Sequence, residues 1–368
     1  MISLKNYLKK KYKELLQTFF KFFYGLIEVA SENEIKKSLI IKEIKIEDIT
    51  YNIFNTKNCR LYTTSIHDQS VIVNNKLITG PSFQLRVKKD DKFFARNNGS
   101  IDENIALRIG TPRILKKIKG KVFSLLSGGA AKTNYFHWLF EVLPRLEILN
   151  RSEKIENIDY FLLPSIKMDH QLETFDLLNI PHKKLLDSNT YKHIFCDELY
   201  VVDHPFRLTN NGAYDTQNIP SWIFDWVRKN FLKFKSLKSF PEKIFIERSK
   251  SISTYRDIKN KDDVYRILKN NNFHFVKPEN FGIKDQIKMF YSAKKIVGLH
   301  GAGFANICFC NPKTEIIEFK TITTGMNSGN IALKNDLDYK AIICEAIEII
   351  GGSGGKLIVP LEELKNKI

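Results

Sequence analysis

One stretch constrains the fold of this chain more than any other: residues 293–319, AKKIVGLHGAGFANICFCNPKTEIIEF. It opens with an apolar run, Ile296-Val297-Gly298-Leu299, that has the length and composition of a buried strand. A glycine-rich turn follows, His300-Gly301-Ala302-Gly303, and then a short apolar helix from about Phe304 to Phe309. Asn311-Pro312 stops that helix, and residues 314–319 read as the next strand. Strand, glycine turn, helix and strand make half of a nucleotide-binding sheet. In such a unit Gly301 and Gly303 would let the backbone approach a ligand, and the helix start would offer unpaired N–H groups to a phosphate. Glu318 falls where these folds set a carboxylate against ribose hydroxyls. The same glycines would serve equally well in a tight connection that binds nothing. The dinucleotide fingerprint is absent, because Gly301-Ala302-Gly303 is followed by Phe304, Ala305 and Asn306, without the third glycine. A nicotinamide enzyme is therefore disfavoured.

Around this stretch the rhythm is regular. Strands are expected at 243–247, 273–276, 295–299, 314–319 and 341–349, with helices at 262–270, 283–293 and 304–309 and a weaker one near 330–335. Alternation of this kind implies a parallel sheet covered by helices. A glycine-rich turn at 351–355 precedes a last strand, 356–359, and a short helix, 361–367. The chain, at 368 residues, is long enough for two such domains. The Lys- and Ser-rich segment 233–239 is the expected linker, after a helix over 220–234.

Ahead of it, residues 38–113 form short alternating runs (61–66, 70–78, 82–87), with turns at Asn74-Asn75 and Asn97-Asn98-Gly99. A strand at 122–126 ends in Ser127-Gly128-Gly129, and a helix from about Asn134 is kinked or restarted at Pro144. On that helix Asn134, His137, Glu141 and Arg145 recur at steps of three and four and share one polar stripe. His137 and Glu141 are either a surface pair or a general base and its neighbour lining a cleft. Further strands are expected at 160–163 and 199–202. In the second half Arg248 and Arg256 flank a loop rich in Ser and Thr, as a phosphate clamp would, or as solvated loop arginines would.

The net charge of +17 favours anionic partners or reflects a Lys-rich composition alone. Basic residues are dispersed rather than grouped with aromatics, so nucleic acid is not an expected partner. Leu4, Leu8, Tyr12, Leu15, Phe19, Phe22 and Leu26 recur at helical spacing among lysines in residues 1–35. The run is too short to span a bilayer and makes a poor secretory signal. It reads as a basic amphipathic helix set on an anionic membrane through residues 1–25, or as one packed on protein. Five scattered cysteines suit a reducing cytosol, and Cys308-Phe309-Cys310 reads as core.

Three stretches, in this order and spacing, carry a resemblance: NYFHWLFEVLPRL at 134–146, the arginines at 248 and 256, and IVGLHGAGFAN at 296–306. Together they resemble glycosyltransferase family 61, over roughly residue 122 to the end of the chain. The resemblance implies an α/β, GT-B-like fold of two Rossmann-like domains facing across a cleft, here 36–238 and 239–368. It implies an inverting, metal-independent transfer from a nucleotide sugar, with UDP the expected nucleotide, to a glycan or lipid-linked acceptor in cell-surface polysaccharide synthesis. Glu141 would be the base with His137 as runner-up, and Asn134 would bind substrate. His300, Gly301, Ala302, Gly303 and Asn306 would cradle the diphosphate, Arg248 and Arg256 would balance its charge, and Glu318 would meet the ribose. Where the family follows its second arginine with Asn-Glu, this chain has Asn260-Lys261. No DxD motif stands near these residues, so neither metal nor cofactor is expected. The enzyme would be cytoplasmic and peripheral at the inner face of the cell membrane. The alternative is a non-catalytic basic protein that binds anionic membrane or nucleic acid.

Overall fold

The computed structural model describes residues 4–89, 92–95, 101–126, 131–209, 211–248, 256–350 and 354–368. The chain divides into two compact units, Met1–Leu172 with Ile180–Asn211, and Glu173–Asn179 with Gly212–Ile368. The division falls ahead of the 233–239 segment, so the helix expected to close the first domain lies in the second unit. The turns expected at 97–99 and 127–129 lie outside the described residues.

The first unit is built on a ten-stranded mixed sheet. Helix α1 (Leu4–Tyr24) precedes it. Strands β1 (Leu39–Ile46), β2 (Ile49–Tyr62) and β3 (Asp68–Val73) are antiparallel neighbours. Tight turns dictate this: Glu47-Asp48 joins β1 to β2, and Asn74-Asn75, at φ 48° and 61°, reverses the chain after β3. Asparagine tolerates this left-handed backbone, which is why the pair suits a hairpin. Strand β4 (Lys116–Ser124) leads to helix α2 (Tyr135–His137) and, beyond a widened turn, to α3 (Arg145–Asn150). Strands β5 (Tyr160–Leu163), β6 (Leu185–Asp187) and β7 (His193–Val202), with the two-residue strands Glu28–Val29, Lys76–Leu77 and Phe83–Gln84, complete the sheet. Neighbours in the order β7, β4, β5, β6 are parallel, and β7 joins β2 antiparallel. The Rossmann-like expectation therefore fits only the parallel half. The short turns between β1, β2 and β3 leave no length for crossover helices, so that half is antiparallel. Leu61, Val71, Val122, Leu162 and Ile194 form the fully buried centre.

On α1, Leu16, Phe20 and Tyr24 are half-buried against the unit, and the Tyr24 hydroxyl accepts the Leu115 N–H at 3.0 Å. The stripe Leu8, Leu15, Phe19 and Phe22 instead stands 53–86% exposed. Among the described residues no helix is long and apolar enough to cross a membrane.

The second unit holds helix α4 (Ser221–Phe231) and a five-stranded sheet whose neighbours are all parallel. Its strands are β8 (Lys243–Ile246), β9 (His274–Val276), β10 (Lys295–Leu299), β11 (Glu315–Lys320) and β12 (Asp338–Ile343), in the spatial order β9, β8, β10, β11, β12. Helices α5 (Lys261–Asn270), α6 (Ile283–Ser292) and α7 (Asn327–Lys334) connect them. Ile244, Phe245, Ile296, Val297, Ile316 and Ile317 are buried in sequence-adjacent pairs, as a sheet covered on both faces requires. The expected strand at 341–349 is two strands, because β12 ends at Ile343 and Glu345–Ile350 pairs in a separate three-stranded sheet with Gly354–Ile358. The short helix after the glycine turn is a 3-10 helix, Ala302–Phe309, with Cys308 and Cys310 fully buried.

Candidate active site

Strands β4 and β7 are parallel neighbours, so their C-terminal ends lie at one edge of the sheet, where open α/β sheets bind ligands. Beyond β4, α2 begins at Asn134, whose Oδ1 accepts the Phe136 N–H at 3.0 Å. Asn134 is therefore the helix cap. The helix then widens into a π-turn, Trp138–Val142, in which the Leu143 N–H donates to the Trp138 carbonyl at 3.2 Å. Pro144 accounts for the widening, since it lacks an N–H and its ring would strike the carbonyl four residues back. Arg145, buried, serves this irregular backbone with its guanidinium. Nε donates to the Glu141 carbonyl at 3.1 Å and Nη1 to the Leu126 carbonyl.

The expected polar stripe is thus turned inward. Glu141 is 0% exposed and Arg145 3%, while the His137 side chain keeps 20%. Nδ1 of His137 lies 2.8 Å from Oε1 of Glu141. With the proton of that bond on Nδ1, the lone pair of His137 sits on Nε2. Arg207 reaches the same carboxylate oxygen from Nη2 at 3.2 Å. His204 accepts the N–H groups of Phe206 and Arg207 on its Nδ1, at 3.2 and 2.9 Å. Its own proton is thereby fixed on Nε2, which faces Oε2 of Glu141 across 3.7 Å, beyond hydrogen-bond reach. Burial drives the His204 pKa down to about 3 against the pull of Glu141, so the ring is neutral. Burial also pushes the Glu141 carboxyl up, but the His137 imidazole bonded to it, with the nearby His204 N–H, outweighs it. The carboxyl is held well below its usual range and stays ionised. Sequence reading missed His204 and Arg207. Their signal was Asp203-His204-Pro205-Phe206-Arg207, directly after the end of β7.

A second cluster lies in the second unit, at the C-terminal ends of the adjacent parallel strands β8 and β10. Arg248 follows β8, His300 follows β10, and Arg256 opens the short strand Arg256–Ile258. Nη1 of Arg248 and Nη1 of Arg256 both donate to the His300 carbonyl, at 2.7 and 3.0 Å. Burial, and then the charge of Arg256, lower the Arg248 pKa, as expected for two like charges sharing one acceptor. The loop between them, 249–255, lies outside the described residues. Nδ1 of His300 lies 2.6 Å from Oε1 of Glu318, and Ser328 and Tyr339 donate to the two oxygens of that carboxylate at 2.6 Å each. Glu318 is 0% exposed. Burial raises its carboxyl, but the three hydrogen bonds outweigh this and hold it below its usual value.

Gly301 is extended at φ 172°, so its smallness serves space rather than backbone strain. A Cβ there would stand 2.5 Å from Nη1 of Arg248, and one on Gly303 would stand 3.3 Å from Cγ2 of Ile246. Among the described residues no three His, Cys, Asp or Glu side chains form a group that could hold a metal ion.

The family model described as Glycosyltransferase 61 matches residues 135–317. This chain belongs to glycosyltransferase family 61. It is accordingly an enzyme, a glycosyltransferase. No curated protein matches it. The family 61 match takes in His137, Glu141, His204, Arg207, Arg248, Arg256 and His300, and ends one residue before Glu318.

The remaining residues to which the family 61 resemblance gave roles have partners within the fold. Glu318, which the resemblance set against a ribose, is buried with its oxygens engaged by His300, Ser328 and Tyr339. Asn306 is also fully buried and donates to Gln286 of α6 at 2.9 Å, so it faces its own fold. Gly301 and Gly303 make room first for Arg248 and Ile246. Ala302 remains half-buried at the start of the 3-10 helix. Asn260, in the pair where the family 61 pattern changes, exchanges two hydrogen bonds with the Val359 backbone, and Lys261 lies 3.8 Å from Glu247.

Proposed function

We propose that this family 61 enzyme moves a sugar, with inversion, from a nucleotide sugar to a hydroxyl of a glycan or lipid-linked acceptor, with His137 as the base. The donor is a UDP-sugar and the product a cell-surface polysaccharide. One observation carries the assignment of the base: His137 keeps an accessible edge and donates from Nδ1 to a carboxylate that is wholly buried. A buried, strongly ionised Glu141 is a weak base and cannot touch an acceptor, whereas it orients the imidazole and stabilises the imidazolium that forms. Nε2 of His137 takes the acceptor's proton as its oxygen bonds to the anomeric carbon and the bond from that carbon to the departing diphosphate breaks. Arg207 holds Glu141 and compensates its charge, and the neutral His204 ring packs beside its other oxygen.

On the donor side Arg248 and Arg256 offer cationic donors to the leaving diphosphate. His300, fixed by Glu318, stands beside them. The first unit is the acceptor half and the second the donor half. The exposed apolar stripe of α1, flanked by lysines, supports a peripheral position at the inner face of the membrane. Incubating the full chain with a panel of nucleotide sugars, and following nucleotide release and the anomeric configuration of any product, tests this reading. UDP-sugar turnover with inversion is expected. Retention, or turnover unchanged in His137→Ala, would contradict it.

A further inference from the structure

Between α1 and the first unit's sheet lies a cavity of about 470 Å³, within the range of small-molecule sites. Leu16 and Phe20 of α1, with Pro112 and Ile114, supply an apolar side, while Arg113, Lys116 and Lys192 supply three cations. No carboxylate is among the lining residues. His193 forms a rigid part of the wall, its ring set edge-on to Tyr24 and Tyr62 at 5.0 and 5.6 Å. Arg113 makes no ion pair among the described residues, whereas Lys116 lies over the Tyr191 ring at 4.4 Å and Lys192 donates to the Thr64 carbonyl at 3.3 Å. Burial, then Arg113 and Lys132, lower the Lys192 pKa and outweigh the opposing Asp68 and Asp187, so cations crowd the cavity wall and an anion would relieve them. The helix that walls the cavity carries, on its remaining surface, the exposed side chains Leu15, Phe19, Phe22 and Phe23. An apolar path therefore continues out of the cavity.

We propose that this cavity is a site for an anionic phospholipid, its phosphate held by Arg113 and Lys192 and its hydrocarbon lying against Leu16 and Phe20. Charge complementarity selects the head, and the apolar wall selects an amphiphile over a free anion. The site shares no lining residue with the His137 cluster. It is also distinct from general attraction of the α1 lysines to a bilayer, because Arg113 and Lys192 lie outside that helix.

The test is calorimetry on the full chain with dioctanoyl phosphatidic acid below its micelle concentration, beside dioctanoyl phosphatidylcholine and inorganic phosphate. Phosphatidic acid is expected to bind at least tenfold tighter than either control. Arg113→Ala with Lys192→Ala should weaken it tenfold or more while leaving the circular dichroism spectrum and thermal midpoint unchanged. Should that pair not fold, Leu16→Glu, which puts a like charge on a half-buried helix position, should weaken it similarly. Equal binding of inorganic phosphate, equal binding of phosphatidylcholine, or full affinity in a folded variant would overturn the proposal.

Discussion

The guanidinium of Arg248 fills the space that a side chain at position 301 would need: a Cβ added to Gly301 would stand 2.5 Å from its Nη1. The glycine turn and the arginine loop are thus one device, in which a small residue after β10 lets an arginine after β8 reach the His300 carbonyl at 2.7 Å.

This coupling predicts an epistatic pair. Arg248→Ala should weaken UDP binding by about 1.5–3 kcal/mol, the range for hydrogen bonds to charged groups. Gly301→Ala should leave the fold intact, since the clash is with the far end of a flexible side chain, yet lose a similar amount. In the Arg248→Ala background, Gly301→Ala should change affinity by less than about 0.5 kcal/mol. Calorimetric titration of the four proteins with UDP checks this, and additive losses would break the link. Gly303→Ala, which crowds Ile246, should show mainly as a lower melting temperature.

Three desolvated histidines of the first unit predict acid sensitivity. Burial lowers His170 and His193 to about 4 and His204 to about 3. A folded pKa below the unfolded value means that the unfolded chain binds more protons as pH falls from about 6.5 toward these values. Stability is complete above that window and should fall within it, by up to about 1.4 kcal/mol per pH unit for each histidine. Glu141, also depressed, adds its loss only at lower pH, as its own folded pKa is passed. Urea titrations of the full chain at pH 7, 6 and 5, followed by near-UV circular dichroism, should show the first unit's midpoint dropping. An unchanged midpoint between pH 7 and 5 would contradict the buried neutral rings.

The exposed face of α1 predicts membrane attachment. Leu15, Phe19 and Phe22 are 68%, 53% and 86% exposed, so changing all three to Ser should not disturb the core. Each large apolar side chain contributes about 1.5–3 kcal/mol when fully buried, and each nearby lysine about 1 kcal/mol at an anionic surface. Sedimentation with anionic vesicles should fall at least tenfold in the triple variant. Undiminished sedimentation at low salt would remove the membrane reading.

The parallel sheet of the second unit was legible because its strands are continuous apolar runs between amphipathic helices, as at Ile296–Leu299 and 283–292. The antiparallel half of the first unit was less so: β2, at 14 residues, exchanges partners along its length, which local alternation does not encode. Spacing and resemblance singled out His137, Glu141, Arg248, Arg256 and His300, which the structure gathers into two clusters. Spacing put Glu141 on a polar stripe, either at the surface or lining a cleft, and the structure turns it inward, beside the π-turn ahead of Pro144 and the buried Arg145. His204 and Arg207 lie more than sixty residues from Glu141 in the chain, and only the parallel pairing of β4 with β7 brings them to it.

If His137 and Glu141 act as a unit with His137 as the base, kcat for His137→Ala, Glu141→Gln and the double variant will reveal it. Loss of a general base costs about 10²–10⁴-fold, and residues that act as one unit are not additive. His137→Ala should therefore lower kcat within that range with UDP affinity unchanged, Glu141→Gln should lower it by a comparable or smaller factor, and the double variant should be no worse than His137→Ala alone. Near-normal turnover in a folded His137→Ala protein, or losses that multiply in the double variant, would contradict the assignment.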